Sequence, residues 1–228
     1  MQKNLINFLA IIGIFLNFEY IASIAKADTI SYSSDSVKTI QNVIVLSNKD
    51  SSVEYVTMGH GCLKKELLSS PAYKNVKVTR SPDEEKKTLI DSWKKQASSA
   101  VLKRTFGPSV NIACFGVRYP LPQNVTYYMG GPTAVEGPEI YIGKDSSDSS
   151  KVFFKEMESI DIQNGKTVHI KWKNSESSDG ALLHSWKYDD RSGAPAVLFG
   201  MDMDTLTYIE LPLKNIRSIT MKDQKEKQ

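Results

Sequence analysis

The chain has 228 residues, 40% hydrophobic and 24% charged, proportions of a folded protein that exclude collagen, a long coiled coil and wholesale disorder. A net charge of +3 is too small to single out nucleic acid or a membrane as a partner. Two cysteines and three histidines exclude a multi-zinc module and a cysteine-dense miniprotein, and no cofactor is implied.

The first segment reads as an address. Lys3 supplies a basic start, residues 5–18 are apolar apart from Asn7 and Asn17, and Ala25-Lys26-Ala27 places small residues where a signal peptidase reads them. Residues 1–27 are therefore expected to be a signal peptide cleaved before Asp28, giving a periplasmic or secreted protein. An uncleaved membrane anchor is the rival reading, opposed by Glu19 and the A-x-A tripeptide. In an oxidising compartment the even cysteine count predicts one disulfide, Cys62–Cys114, contributing about 4 kcal/mol through the loop it closes.

Along the expected mature chain, residues 28–42 are polar and serine-rich, a tether or edge segment. Residues 43–46 and 53–58 are β-branched and apolar on either side of Asn48-Lys49-Asp50, predicting strand, turn, strand. Gly59-His60-Gly61 breaks the second strand. Residues 62–70 have helical character up to Pro71, and 75–79 predict a short strand.

A longer helix is expected next. Ser81, Pro82 and Glu84 have the spacing of a capping box, Asp83, Glu84 and Glu85 suit the positive end of a helix, and Lys103 and Arg104 the negative end. Leu89, Trp93, Ala97, Ala100 and Val101 form its apolar stripe, and Gly107-Pro108 closes it. Residues 110–119 predict a strand carrying Cys114. Short strands are expected at 125–129 and 139–142, amid prolines and glycines.

Residues 144–150, Lys-Asp-Ser-Ser-Asp-Ser-Ser, are the most linker-like stretch and mark the expected domain boundary. Beyond it the chain reads as all-β. Strands at 160–162 and 167–172 flank Asn164-Gly165, the strongest short hairpin signal, because a type I′ turn needs positive φ at both central residues. Strands follow around 181–188, 196–201 and 206–211, then a single helical turn at 212–215 and a last strand at 216–221.

The predicted class is thus α+β: an α/β region at 28–143 with one disulfide, a linker at 144–150, a small all-β domain at 151–221 and a disordered tail at 222–228. Five short strands with a helical turn before the last resemble the small SH3-like barrels in topology; a sandwich is the other form considered. The resemblance carries no diagnostic motif and implies no ligand.

Candidate chemistry is sparse. Gly59-His60-Gly61-Cys62 sits at the expected strand-to-helix turn, where amide hydrogens and the helix dipole would stabilise a Cys62 thiolate with His60 as base. No third orienting group accompanies the pair, and a disulfide would consume the nucleophile. Asp202-Met203-Asp204-Thr205 after an apolar strand looks like the opening motif of the haloacid-dehalogenase phosphatases. It lacks the glycine expected between the second aspartate and the threonine, and the preceding strands are of the wrong class, so an exposed turn is the better reading. His169 and His184 have no metal-ligand spacing. Tyr127, Tyr128 and Tyr141 beside the Gly130-Gly131-Pro132 and Gly137-Pro138 turns would suit a glycan or peptide, or equally would pack on the sheet.

Charge is uneven. Positions 62 to 118 hold 12 Lys or Arg against 5 Asp or Glu, and Lys86, Lys87, Lys94 and Lys95 would build a basic helix face for an anionic envelope component or an acidic protein. No aromatic platform is interleaved with them, which argues against a single-stranded nucleic acid. The leading expectation is an exported, non-enzymatic binding or envelope-assembly protein without a transmembrane span after cleavage. The alternatives are a thiol-dependent hydrolase or transferase using Cys62 and His60, and a secreted effector or inhibitor.

Overall fold

The computed structural model describes residues 27–33, 36–49, 52–69, 74–123, 133–144, 146–188 and 191–222. The chain begins with β1 (Asp28–Ser33), β2 (Val37–Lys49), β3 (Ser52–Met58), β4 (Leu63–Ser69) and β5 (Lys74–Thr79), which form one antiparallel sheet in the order β4-β3-β2-β1-β5. Ile30, Val43, Val45, Val53 and Leu68 are its buried apolar cluster. Within the expected tether at 28–42, residues 28–33 and 37–42 are sheet, with β1 paired on both sides.

The single α-helix among the described residues, α1 (Asp83–Trp93), is followed by β6 (Ser99–Arg104), β7 (Val110–Pro120), β8 (Ala134–Gly137), β9 (Glu139–Gly143) and β10 (Ser149–Phe153). A 3-10 turn at Phe154–Glu156 leads into β11 (Met157–Gln163), β12 (Thr167–Trp172), β13 (Ser177–Ala181), β14 (Ser185–Tyr188), β15 (Arg191–Pro195), β16 (Val197–Asp202) and β17 (Thr207–Pro212). A second 3-10 turn, Leu213–Asn215, precedes β18 (Ile216–Met221). Nine of these strands make the main sheet, in the order β13-β12-β11-β18-β6-β7-β16-β17 with β8 added on β7; β9/β10 and β14/β15 are separate hairpins.

Strand β7 organises the molecule because both of its edges are used. One edge pairs β16 from Ile112 to Arg118; the other pairs β6 over its first residues and β8 over its last. Both of its faces are covered, so it reads as a nearly continuous apolar run. On one face Phe115 and Val117 join Phe154, Met157, Ile160, Leu198 and Ile219 in a core that takes in the two hairpins, with the Phe115 and Phe154 rings 4.7 Å apart. On the other, Ala113 and Cys114 join Leu89, Ile90 and Trp93 of α1 with Ile44, Val56, Phe199 and Met201.

Several expectations require correction. The described residues are β with one helix, not α+β with an α/β N-terminal region. Residues 62–70 have helix-forming side chains, yet 63–69 are β4, paired with β3 through seven residues from Met58↔Leu63 to Ser52↔Ser69. A ladder of that length outweighs a propensity of tenths of a kcal/mol per residue. The expected long helix stops at Trp93. Its apolar stripe is buried as far as Ala100 by a change of period, from helix to the strand β6 held between β18 and β7. Ser81 does not cap it: the N-cap position is Pro82 without a side-chain bond, and the Ser81 amide donates instead to Asp28 Oδ1 at 2.8 Å.

The Cys62–Cys114 disulfide is absent; both residues are free, buried thiols. Each packs as a small apolar side chain in the cluster around Trp93, Phe199 and Met201. Nor do the C-terminal strands close on themselves as an SH3-like barrel or a separate sandwich. β16 pairs with β7 and β18 with β6, because the open edges of those earlier strands complete the ladder.

The Asn164-Gly165 hairpin forms, with φ of 50° and 63° at the two residues and the Lys166 amide donating to the Gln163 carbonyl. Residues 144–148 connect β9 to β10, and strands from both sides of this stretch share the main sheet. Of the expected signal peptide, residues 1–26 lie outside the described residues; Ala27 and Asp28, on either side of the expected cleavage point, are both buried. The expected strand at 125–129 and all of the tail except Lys222 also lie outside them.

Candidate functional site

The β3–β4 connection is a four-residue turn, Gly59-His60-Gly61-Cys62, closed by the Gly59 amide on the Cys62 carbonyl at 2.8 Å. Gly61 adopts φ +84° and lies close to Pro138, so this turn holds one of the few positions that favour glycine on both counts. The turn presents His60 to solvent at the edge of a groove of about 650 Å³. The wall continues through Lys95 after α1, Phe153 at the end of β10, Lys155 in the 3-10 turn, Lys173 after β12 and Lys222 after β18.

Four lysines from four distant parts of the chain thus converge, and among the described residues no aspartate or glutamate lines the groove. Lys155 Nζ stands 5.4 Å from the centre of the Phe153 ring, as does Lys151 Nζ, which is paired with Glu139, so two ammonium groups lie near one aromatic ring. Lys222 Nζ donates to Asn111 Oδ1 at 3.0 Å, which fixes the end of β18 at the groove. Like charges gathered over a common low-dielectric wall raise the local concentration of anions.

The residues singled out in the sequence are dispersed by the fold. Lys86 pairs with Asp83 at 3.2 Å and Lys94 with Asp91 at 2.9 Å; Lys87 is exposed on the helix, and of the four only Lys95 lines the groove. Cys62 and His60 part company: the histidine faces the groove while the cysteine is buried beneath the turn. No helix begins at Cys62, so no dipole favours its thiolate. Burial, reinforced by the charges of Glu136 and Glu139, pushes the Cys62 thiol up to about 12, and burial does the same to Cys114. Iodoacetamide at neutral pH is expected to leave the folded protein unmodified and to label both cysteines in denaturant without reductant. Absence of labelling in denaturant would instead indicate a crosslink.

Asp202-Met203-Asp204-Thr205 opens the β16–β17 turn, where the Asp204 amide donates to Asp202 Oδ1 and the Asn111 side-chain amide donates to the Asp204 carboxylate. Tyr141 stacks edge-on to Tyr119 and Trp186 at 5.3 and 5.0 Å, part of the hairpin packing; Tyr127 and Tyr128 lie outside the described residues. His169 Nδ1 is 2.8 Å from Asp179 Oδ1 on the neighbouring strand.

A second polar cluster escaped the sequence reading. Arg118 donates to Glu136 at 2.8 Å and to Glu210 at 2.9 Å, with its guanidinium 5.0 Å from the Phe199 ring centre. Burial alone would raise the Glu210 carboxyl. Hydrogen bonds from Arg118 and Tyr208, with the charges of Arg118 and Lys65, outweigh it and hold that carboxyl below its usual range. These charges satisfy one another across β7, β8 and β17, which suits a brace between strands.

Apart from Lys95, which belongs to a lysine doublet, neither the groove lysines nor Arg118 follow a local spacing that marks them out. Among the described residues no group of three or more His, Cys, Asp or Glu side chains is placed to hold a metal ion, and no helix is long and apolar enough to cross a membrane. No protein-family model matches the chain, and no curated protein and no solved structure matches it.

Proposed function

We propose that this is an exported, non-enzymatic binding protein that takes an anionic envelope component in the groove between the β3–β4 turn and the end of β18. Export rests on Lys3, the apolar run and Ala25-Lys26-Ala27. The binding reading rests on one observation, the convergence of Lys95, Lys155, Lys173 and Lys222 with His60 around Phe153 with no lining carboxylate among the described residues. This moves the basic surface from the helix face expected in the sequence to a concave one, where several cations reach the same ligand. Phe153 adds a flat apolar surface for the uncharged part of that ligand.

Binding to a sulfated polysaccharide, used as a generic polyanion, tests the reading against neutral dextran. The Lys95→Glu/Lys173→Glu double variant is expected to lose about tenfold or more in affinity, and Lys87→Glu less than about twofold, with binding weakening as salt rises. Equal losses at Lys87 and in the groove, in variants that melt like the parent, would reject it.

A further inference from the structure

At the other end of β18 a larger cavity, of about 1070 Å³, opens between the β11–β12 turn and the 3-10 turn Leu213–Asn215. Its wall includes Asp161, Asn164, Lys166, His184, Lys214 and Arg217. A smaller cavity of about 230 Å³ adjoins the same histidine and lysine, so His184 and Lys214 form a partition shared by the two.

His184 Nε2 is buried and is the one buried side-chain nitrogen or oxygen among the described residues without a hydrogen-bond partner. Buried polar atoms are otherwise almost always bonded, and an orphan signals a missing partner. The charges around it are also unbalanced. Lys166 on the β11–β12 turn, Lys214 on the 3-10 turn and Arg217 on β18 line the cavity with a single carboxylate among the described residues, Asp161 on β11. None of the four is in an ion pair among the described residues, whereas Lys86, Lys94, Lys151 and Lys171 all are.

The site is held by backbone. Leu182 N–H donates to the Lys166 carbonyl at 2.8 Å, Ala196 N–H to the His184 carbonyl at 2.6 Å and Leu213 N–H to the Ala196 carbonyl at 3.0 Å. These bonds tie the hairpin turn, the histidine segment and the 3-10 turn to one another, so the wall is formed before any ligand arrives.

We propose that this cavity is a second binding site, for a small molecule carrying a phosphate or carboxylate group whose oxygen takes the hydrogen bond that His184 Nε2 lacks while Lys166, Lys214 and Arg217 neutralise its charge. Desolvation and the Lys166 charge hold the His184 imidazole below its ordinary pKa. An anion reverses that balance, so binding takes up a proton and His184 titrates at higher pH in the complex. The site is separate from the groove and does not rest on the groove's being a binding site.

The chain's three histidines make the test selective. His60 reports on the groove, His184 on the cavity, and His169, paired with Asp179, is an internal control. Imidazole NMR resonances, assigned with His→Gln variants, are followed while the full chain is titrated with inorganic phosphate, citrate, glucose 6-phosphate or glucose. Phosphate or citrate is expected to shift His184 saturably and raise its titration midpoint, the stronger of the two naming the group, with glucose 6-phosphate behaving like phosphate and glucose silent. Lys214→Met/Arg217→Met is expected to weaken the anion effect about tenfold without unfolding the protein. A His184 signal unmoved by both anions, or moved equally in the double variant, overturns the proposal. Movement of His60 alone refutes this proposal and leaves the groove reading to its polysaccharide test; movement of His184 alone supports it.

Discussion

Asp28→Ala is expected to cost about 3 kcal/mol of stability, read as a fall in the urea midpoint at unchanged m-value. The Asp28 side chain is fully buried, and its two oxygens accept the Val45 and Ser81 amides at 2.8 Å each. One carboxylate therefore joins β1 to β2 and both to the start of α1. Arg80 Nη1 stands 4.0 Å away and donates to the Val45 carbonyl at 2.6 Å, completing a small polar knot. Removing the carboxylate leaves two amides without acceptors in a dry site, and that desolvation is the larger part of the cost. Asp28→Asn keeps one acceptor and turns an amide group toward the other N–H, so about half the loss is expected to remain. If Asp28→Ala unfolds like the parent, water reaches these amides and the knot is not structural.

Gly116→Ala is expected to cost a comparable amount, about 3 kcal/mol, by overpacking. A Cβ on Gly116 would lie 2.5 Å from the Gly137 carbonyl oxygen, 2.9 Å from Phe199 Cζ and 3.1 Å from Cys62 Cβ. The first obstacle is backbone in β8, which is hydrogen-bonded to β7 and cannot withdraw without opening that pair. Gly59→Ala is the control: its nearest neighbours would be Lys64 Cβ at 3.4 Å and the Cys62 carbonyl at 3.5 Å, ordinary contacts. The Gly116 variant is also expected to expose Cys62 to iodoacetamide, because the methyl group pushes on that side chain directly. Stability equal to that of Gly59→Ala, with the thiol still protected, would show that β8 moves aside at little cost.

The two substitutions probe features that differ in how far the sequence discloses them. Asp28 sits in a stretch that reads as a polar tether, and the amides that donate to it come from 17 and 53 residues away. Gly116 reads as one more small residue in a strand; its need for a bare Cα arises from β8 and from the β3–β4 turn packing against β7. The basic groove shows the same limit. Lys95 and His60 were legible as candidates because each belongs to a local pattern, a lysine doublet and a glycine turn. Lys155, Lys173 and Lys222 are isolated in the sequence and acquire a common role through sheet order. Lys86, Lys87 and Lys94 were equally conspicuous, but none of them lines that groove, and Lys86 and Lys94 pair with aspartates of α1.

The sequence by itself determined what nearest neighbours along the chain can enforce. Asn164-Gly165 bends because both residues accept positive φ, the second 3-10 turn and β18 follow Pro212, and the apolar runs at β3, β7, β12 and β16 pair wherever partners are found. The tertiary structure decided whether 63–69 is helix or strand, where α1 ends, which strands share the main sheet, and that the two cysteines are unbonded thiols in the core. The physical reason is one of scale. Intrinsic conformational preferences amount to tenths of a kcal/mol per residue, whereas a registered ladder with its buried face contributes several kcal/mol through partners distant in sequence.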